Sequence, residues 1–189
     1  MPRPSRGNSH KNVTMSIFDI VLVLVVLQRL AELAYAARNT RVLLARGAVE
    51  YGAGHYPLIV ALHAAWLAAL LVFVPWHAAP NWYWLGLFVA LQAARIWVVA
   101  SLGPRWTTRI IVMRDAPLVR RGPYRWLRHP NYLVVAAEIA VLPLAFGAWQ
   151  IALVFTLLNA AMLAWRIHVE AEALGYRRID ASVTTMSKR

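Results

Sequence analysis

Long apolar runs, separated by short polar segments that hold most of the arginines, constrain this chain more than any other feature. The runs cover about residues 16–37, 58–74, 82–101, 132–146 and 149–167. A helix needs about 20 predominantly apolar residues to cross the hydrocarbon core of a bilayer. The backbone polar groups of a spanning segment must also be paired within the protein. The pattern therefore predicts an all-α integral membrane protein with about five transmembrane helices.

Composition and charge support this class and exclude others. Hydrophobic residues make up 60% of the 189 and the mean hydropathy is +0.51, whereas soluble domains are roughly 45–50% apolar. The net charge is +12 with only 15% charged residues, clustered between apolar runs as in cytoplasmic loops. A nucleic-acid-binding protein would carry such charge on a polar surface, so we predict no nucleic-acid partner. The absence of cysteine excludes disulfides and thiolate chemistry.

Four regions follow along the chain. Residues 1–14 are basic and expected to be disordered, residues 15–101 are expected to hold three transmembrane helices, residues 102–176 hold the arginine-rich segment and a helical hairpin, and residues 177–189 form a basic tail. The start imitates a signal peptide, but no cleavage site follows and a helical pattern continues, so the first helix is expected to be retained. Residues 38–56 are expected to form a polar loop. The last two helices are expected to form a hairpin around Gly147-Ala148, with a loose tail from Gly175.

The orientation rests on the basic loops. Residues 104–131 contain seven arginines against one aspartate, which places this segment in the cytoplasm by the positive-inside rule. Two further helices return the C-terminus to the cytoplasm. The two sides of the first helix carry equal numbers of basic residues, so the arginine-rich segment decides. A bacterial inner membrane is the expected location.

The most polar stretch runs from Arg120 to Leu133. Pro123 and Pro130 restrict the residues before them to extended or turn conformations, so the segment is a loop or a broken helix. Free backbone N–H groups and guanidinium groups at a membrane edge favour an anion site.

Several charges lie inside the apolar runs. Arg29 and Glu32 share a helix face, and they either face the interior or reach the interface at a helix end. Glu138 lies two turns into an apolar helix, where a carboxylate is costly unless it is paired. Its partner could be Arg95 or Arg166, and both a structural pairing and a contact with a bound molecule remain open.

Arg166 and Glu170 are four residues apart and lie on one helix face. A guanidinium fork suits an anionic ligand; either Glu170 orients Arg166 towards such an anion, or the two form a structural ion pair. His63 is expected to be a hydrogen-bonded interior residue. The six histidines show no metal-ligand spacing, so we predict no metal.

Trp82 and Trp84 are expected to be interface anchors. Five further arginines are expected to set topology or contact lipid headgroups: Arg105, Arg109, Arg114, Arg120 and Arg121.

Two motifs resemble a known family. The first comprises Gly122-Pro123-Tyr124-Arg125 and Arg128-His129-Pro130-Asn131-Tyr132, and the second comprises Arg166-Ile167-His168-Val169-Glu170 with Leu174. Over about residues 104–175 the chain resembles the catalytic half of the isoprenylcysteine carboxyl methyltransferase family. More loosely, Gln28–Leu33, Arg38-Asn39 and Gly52–His63 are similar to a bacterial branch that often accompanies type III polyketide synthases and O-methylates alkylpyrone lipids.

The resemblance implies S-adenosylmethionine-dependent methyl transfer to an oxygen of a lipidic acceptor, at a cytoplasmic cofactor site. It assigns Arg166 and Glu170 to catalysis. It assigns cofactor binding to Gly122, Tyr124, Arg128, His129, Asn131 and Tyr132, and Glu138 is added as a candidate. The chain departs from the family pattern at Ala171, where a second glutamate is usual, and Glu172 would point about 100° away from that position.

Three other functions remain. Membrane sterol-type reductases that use NADPH carry a similar Tyr…Arg-His-Pro-x-Tyr element, but a Gly-Glu pair usually follows it, and Leu133-Val134 stand here. Phospholipid N-methylation would share the cofactor. A membrane scaffold would use its arginines only for topology and lipid contact.

Overall fold

The computed structural model describes residues 15–113, 117 and 119–186. Five helices account for most of this part of the chain: α1 Ile17–Ala45, α2 Tyr56–Phe73, α3 Trp82–Leu102, α4 Pro130–Ala145 and α5 Trp149–Met186. Two short strands, β1 Val49–Tyr51 and β2 Ile110–Val112, complete it. The predictions for residues 1–14 and 187–189 lie outside the described residues.

Three helices are long and apolar enough to cross a membrane: α2, α3 as extended to Arg105, and α5 from Trp149 to Ala173. Their mean hydropathies are 2.0, 1.8 and 1.5. Helix α4 is apolar but only 16 residues long. The membrane class is supported, and spans at α1 and α4 stay predictions.

Helix α1 is longer than the sequence predicted. Ser16 caps its start, because the Ser16 hydroxyl accepts from Asp19 N–H while Asp19 accepts from Ser16 N–H. The expectation of a polar loop from residue 38 is wrong: Asn39, Thr40 and Leu43 continue the buried helical face. The helix ends only before Gly47, whose φ is +83°.

The two strands pair antiparallel, with Glu50 opposite Ile111. This ribbon joins the α1–α2 and α3–α4 connections at one end of the helix bundle, which we call the loop end. The sequence did not predict β1, because Val49–Tyr51 lies in the stretch assigned to a polar loop.

Helices α4 and α5 form the predicted hairpin, turning at Gly147 with φ +74°. The loose tail expected from Gly175 is wrong as far as Met186, because α5 continues through it. Ala, Glu and Arg residues near this point favour helix enough to offset one glycine.

The main apolar core lies among α1 to α4 and is centred on Trp66, Leu70, Ile139 and Leu142. A smaller cluster at the loop end contains Ala36, Val98, Trp106 and Val134, with Tyr124 packed against it. This second cluster carries the site.

Candidate functional site

The turn Gly122–Arg125 is fixed against α3 by close packing. Gly122 has φ +56°, and an added Cβ would lie 2.1 Å from Ser101 Oγ and 3.2 Å from Trp97 Nε1. Arg121 Nε donates to the carbonyl of Ser101. Only glycine fits both the backbone conformation and the gap, so Gly122 sets where the following motif lies.

The hydroxyl of Tyr132 joins the two predicted catalytic residues. It accepts a 2.8 Å hydrogen bond from Arg166 Nε and donates a 2.8 Å hydrogen bond to Glu170 Oε2. Arg166 and Glu170 present one face of α5 to α4, as their spacing predicted. The structure thus brings Tyr132, Arg166 and Glu170 together, and the two charged groups meet through the phenol.

His129 stands beside this group. Its ring stacks on Tyr132 with centroids 5.0 Å apart and planes at 2°. His129 Nδ1 lies 3.6 Å from Glu170 Oε2, which is beyond a hydrogen bond; only a protonated imidazole would be attracted to the carboxylate at this distance. His129 and Glu170 are both about one-third exposed or less.

Arg166 is held from a second side by the ribbon connection. Its Nη2 donates to the carbonyl of Thr108 at 2.8 Å, and Thr108 Oγ1 bonds the hydroxyl of Tyr56 at 3.2 Å. Sequence reasoning missed Thr108, because a backbone carbonyl leaves no signal in the sequence. Two fixed bonds orient the buried guanidinium.

The other motif residues surround this centre. Tyr124 is half-buried, and burial together with the Glu170 carboxylate raises the pKa of its phenol, so it stays neutral. Asn131 has a buried Oδ1 that lacks a hydrogen-bond partner among the described residues. Arg128 is exposed at the surface.

Glu138 lies in a different place. Its Oε2 accepts from Arg29 Nη2 at 2.7 Å and Arg95 Nη1 at 3.0 Å, and its Oε1 accepts from Gln92 at 2.9 Å. Arg95 also binds both oxygens of Glu32. Of the two predicted partners Arg95 is found, and both carboxylate oxygens are engaged by protein. This is a structural pairing, and a cofactor contact of Glu138 stays a prediction.

The same network decides the alternatives for α1. Arg29 and Glu32 face the interior, with side chains 13% and 14% exposed, so the reading as a helix end at the interface is wrong. His63 Nδ1 lies 2.8 Å from the carbonyl of Ile59, as expected of a hydrogen-bonded interior histidine.

Of the arginines predicted to set topology, Arg109 pairs with Glu50 at 3.0 Å and lies over the Tyr56 ring. Arg105 donates to the carbonyl of Pro117, whereas Arg114 lies outside the described residues. Within the described part of the chain, no group of three or more histidine, aspartate or glutamate residues could hold a metal. The prediction of no metal remains a prediction.

Comparisons with known proteins indicate the same family as the two sequence motifs. A sequence model of the isoprenylcysteine carboxyl methyltransferase family matches residues 84–176. The uncharacterised protein YpbQ of Bacillus subtilis is 36% identical over 162 residues, covering 84% of this chain and 96% of that protein. An uncharacterised protein of Haemophilus influenzae is 25% identical over 167 residues, covering 86% and 97%.

No solved structure matches the chain. The matched segment contains Gly122, Tyr132, Arg166 and Glu170, so it spans the whole hydrogen-bonded group at the loop end. The chain belongs to the isoprenylcysteine carboxyl methyltransferase family, and this membership implies a membrane methyltransferase.

Proposed function

We propose that the protein is an S-adenosylmethionine-dependent O-methyltransferase that acts on a carboxylate or acidic hydroxyl of a lipidic acceptor. The observation that carries the proposal is the junction of Arg166, Tyr132 and Glu170 beside His129. It lies within the segment matched to the family and at the end of apolar helices. In the proposed arrangement, a cofactor would reach this site from water and an acceptor would reach it from the membrane.

The residues present fit this cofactor. The Glu170 carboxylate and the stacked rings of His129 and Tyr132 suit a sulfonium cation, which is attracted by negative charge and by aromatic faces. The buried Asn131 Oδ1 suits a hydroxyl donor such as a ribose. The exposed guanidinium of Arg128 suits the carboxylate of the methionine portion. When bound, the cofactor supplies the methyl group.

Arg166 is the residue we assign to the acceptor. Its Nε and Nη2 donate to Tyr132 and Thr108. These two hydrogen bonds fix the direction of the remaining edge of the planar guanidinium group. Such a fork binds a carboxylate or enolate with defined geometry. Glu170 balances the arginine charge through the Tyr132 hydroxyl, so the site does not bind anions indiscriminately.

An acceptor that is already ionised needs no strong base. The protein must instead exclude water and align two partners, for which effective molarity supplies roughly 7–11 kcal/mol. A buried arginine with two fixed hydrogen bonds is suited to this task, since it does not reorganise during transfer. Tyr124, kept neutral by its raised pKa, can donate a hydrogen bond beside Glu170 without adding charge.

For the acceptor we favour a polyketide alkylpyrone or another small acyl or prenyl lipid over a prenylated protein. The missing second glutamate at Ala171 supports this preference. We place the loop end and the C-terminus in the cytoplasm of a bacterial cell, with the chain in the inner membrane.

The decisive experiment is calorimetric binding of S-adenosylhomocysteine to the detergent-purified full chain, with NADPH in a parallel cell. We expect saturable binding that His129→Ala weakens by about tenfold or more. His168→Ala is the matched control, because His168 is 74% exposed and pairs only with Glu172 among the described residues. Absence of S-adenosylhomocysteine binding to folded protein would overturn the proposal, and an NADPH signal would favour a reductase.

A further inference from the structure

Buried polar side-chain atoms without a hydrogen-bond partner occur on several helices of the bundle. Among the described residues seven such side-chain atoms occur. Four of them come from four different helices: Arg29 Nε in α1, Trp66 Nε1 in α2, Gln92 Oε1 in α3 and Asn159 Nδ2 in α5. The contacts between the helices place these four residues at similar depths, as follows from two steps.

The contact between α4 and α5 gives the depths of Glu138 and Asn159, measured along the helices from the loop end. The Tyr132–Arg166 hydrogen bond sets their register. Glu138 is six residues further along α4, and Asn159 is seven residues back along α5, so they lie about 9 Å and about 10.5 Å deeper, respectively, at 1.5 Å per residue. Glu138 binds Arg29 and Gln92 directly, which brings α1 and α3 to the same depth.

Helix α2 joins the same layer. Tyr56 at its start and Arg166 both bond Thr108, while Phe73 at its end lines a cavity with Ile151. The two helices therefore run antiparallel, and Trp66 comes within about one helical turn of the depth of Asn159. We call Arg29, Trp66, Gln92, Glu138 and Asn159 the polar layer.

The polar layer has more unpaired hydrogen-bond donors than unpaired acceptors. Arg29 Nε, Trp66 Nε1 and Asn159 Nδ2 are donors, and Gln92 Oε1 is an acceptor, since Gln92 Nε2 already donates to Glu138. Trp66 is 1% exposed and Asn159 is 2% exposed. Leaving such groups unpaired inside a membrane protein is unfavourable. An oxygen with lone pairs would satisfy the donors, and a hydrocarbon would not.

An apolar cavity of about 510 Å³ begins about one helical turn from Trp66 and Asn159, on the side away from the loop end. It lies between the end of α2 and the start of α5, lined by Ala69, Phe73, Ile151 and Phe155 among others. The order along the α2–α5 face is thus Arg166, the polar layer and the apolar cavity. This order matches a chain with an anionic end, an oxygen part-way along and an apolar end.

We propose that the polar layer binds a second oxygen function of the lipidic acceptor, about 10 Å from the oxygen that receives the methyl group. The inference rests on the proposed function and deepens it. This narrows the lipids favoured above to those with a long chain that carries a hydroxyl or carbonyl oxygen part-way along it, with the apolar end of the chain in the cavity. A plain hydrocarbon tail would leave the layer unsatisfied.

The test uses two acids of equal length, 9-hydroxyhexadecanoic acid and hexadecanoic acid, titrated into the full chain in lipid nanodiscs saturated with S-adenosylhomocysteine. We expect the hydroxy acid to bind at least fivefold more tightly. Asn159→Leu and Trp66→Phe should each reduce this ratio towards one while the affinity for S-adenosylhomocysteine is unchanged. Leu158→Ala is the matched control, because Leu158 neighbours Asn159 but is 48% exposed.

Folding is checked on the same samples. Asn159→Leu removes an unsatisfied donor and keeps the branching and the number of heavy atoms of the side chain, so its melting temperature should equal or exceed that of the wild type; Trp66→Phe provides the second variant. Equal affinities for the two acids, a ratio that survives in both variants, or no binding of either acid would overturn this inference. Each of these results leaves the proposed function standing if S-adenosylhomocysteine still binds, whereas loss of that binding in the wild type overturns the proposed function itself.

Discussion

Tyr132 and Glu170 are 38 residues apart in the chain and share a 2.8 Å hydrogen bond in which the phenol donates to the carboxylate. The same hydroxyl accepts from Arg166. One tyrosine on α4 therefore sets the relative position of the two charged residues on α5. The stacked His129 ring holds the tyrosine from its other side.

Tyr132→Phe removes the hydroxyl that links Arg166 to Glu170, and it keeps the aromatic ring, so it opens no large cavity. Hydrogen bonds to charged groups contribute about 1.5–3 kcal/mol each, so we expect the transfer rate to fall roughly 10- to 100-fold. The measurement is turnover at saturating methyl donor and acceptor in purified protein.

Tyr83→Phe is the control for this change, since Tyr83 is 73% exposed on α3 and should tolerate it. A Tyr132→Phe protein with wild-type turnover would show that the hydroxyl does not organise Arg166 and Glu170.

Sequence reasoning reached part of this site for identifiable reasons. The four-residue spacing placed Arg166 and Glu170 on one face, and that prediction is confirmed by their common partner. The partner itself could not be predicted, because spacing within α5 says nothing about which side chain of α4 comes opposite. Thr108 could not be found at all, since it contributes a carbonyl.

The buried charges show the same limit. Arg29 and Glu32 were recognised as a pair on one face, and Arg95 was one of two candidate partners of Glu138. Joining the two pairs requires the register of three helices, which no local pattern contains. Helix α1 was cut short because Arg38 and Arg41 look like loop residues, although the buried face continues through Asn39 and Leu43.

Gly122→Ala should disturb the site through two effects at once. The residue has φ +56°, and the new Cβ would lie 2.1 Å from Ser101 Oγ, so the turn must move away from α3. We expect S-adenosylhomocysteine affinity to fall about tenfold or more, together with a lower melting temperature. Calorimetry and a thermal melt measure the two quantities.

Gly147→Ala separates strain from collision. Gly147 also has a positive φ of +74°, but nothing lies within 4 Å of its added Cβ. This variant should lose some stability, on the order of 1 kcal/mol for the backbone conformation, and keep its cofactor affinity. Equal loss of affinity in both variants would contradict a positioning role for Gly122.

Glu138→Gln should destabilise the bundle strongly. It removes the buried charge that Arg95 and the partly buried Arg29 share, and breaking a buried pair in this way costs about 3–5 kcal/mol. We expect a melting temperature lower by several degrees and reduced yield from the membrane.

Glu50→Gln is the matched control for Glu138→Gln, because Glu50 pairs with the 42% exposed Arg109 and exposed pairs contribute about 0–1 kcal/mol. If Glu138→Gln instead kept full stability but lost S-adenosylhomocysteine binding, the carboxylate would contact the cofactor and would not be a structural group.

Arg166→Ala should slow transfer with little effect on cofactor affinity. The guanidinium is held by Tyr132 and Thr108 in a fixed direction, and in the proposed function its remaining edge meets the acceptor anion. Removing it should lower turnover by roughly 100-fold or more, the magnitude seen when one group that stabilises charge in a transition state is lost. The dissociation constant of S-adenosylhomocysteine should stay within about twofold.

Arg166→Lys tests whether charge alone is sufficient, because an ammonium keeps the charge but cannot reproduce the planar two-point geometry. This variant should therefore recover only a small part of the rate. A large loss of S-adenosylhomocysteine binding in Arg166→Ala, with His129→Ala binding normally, would exchange the roles assigned to these two residues.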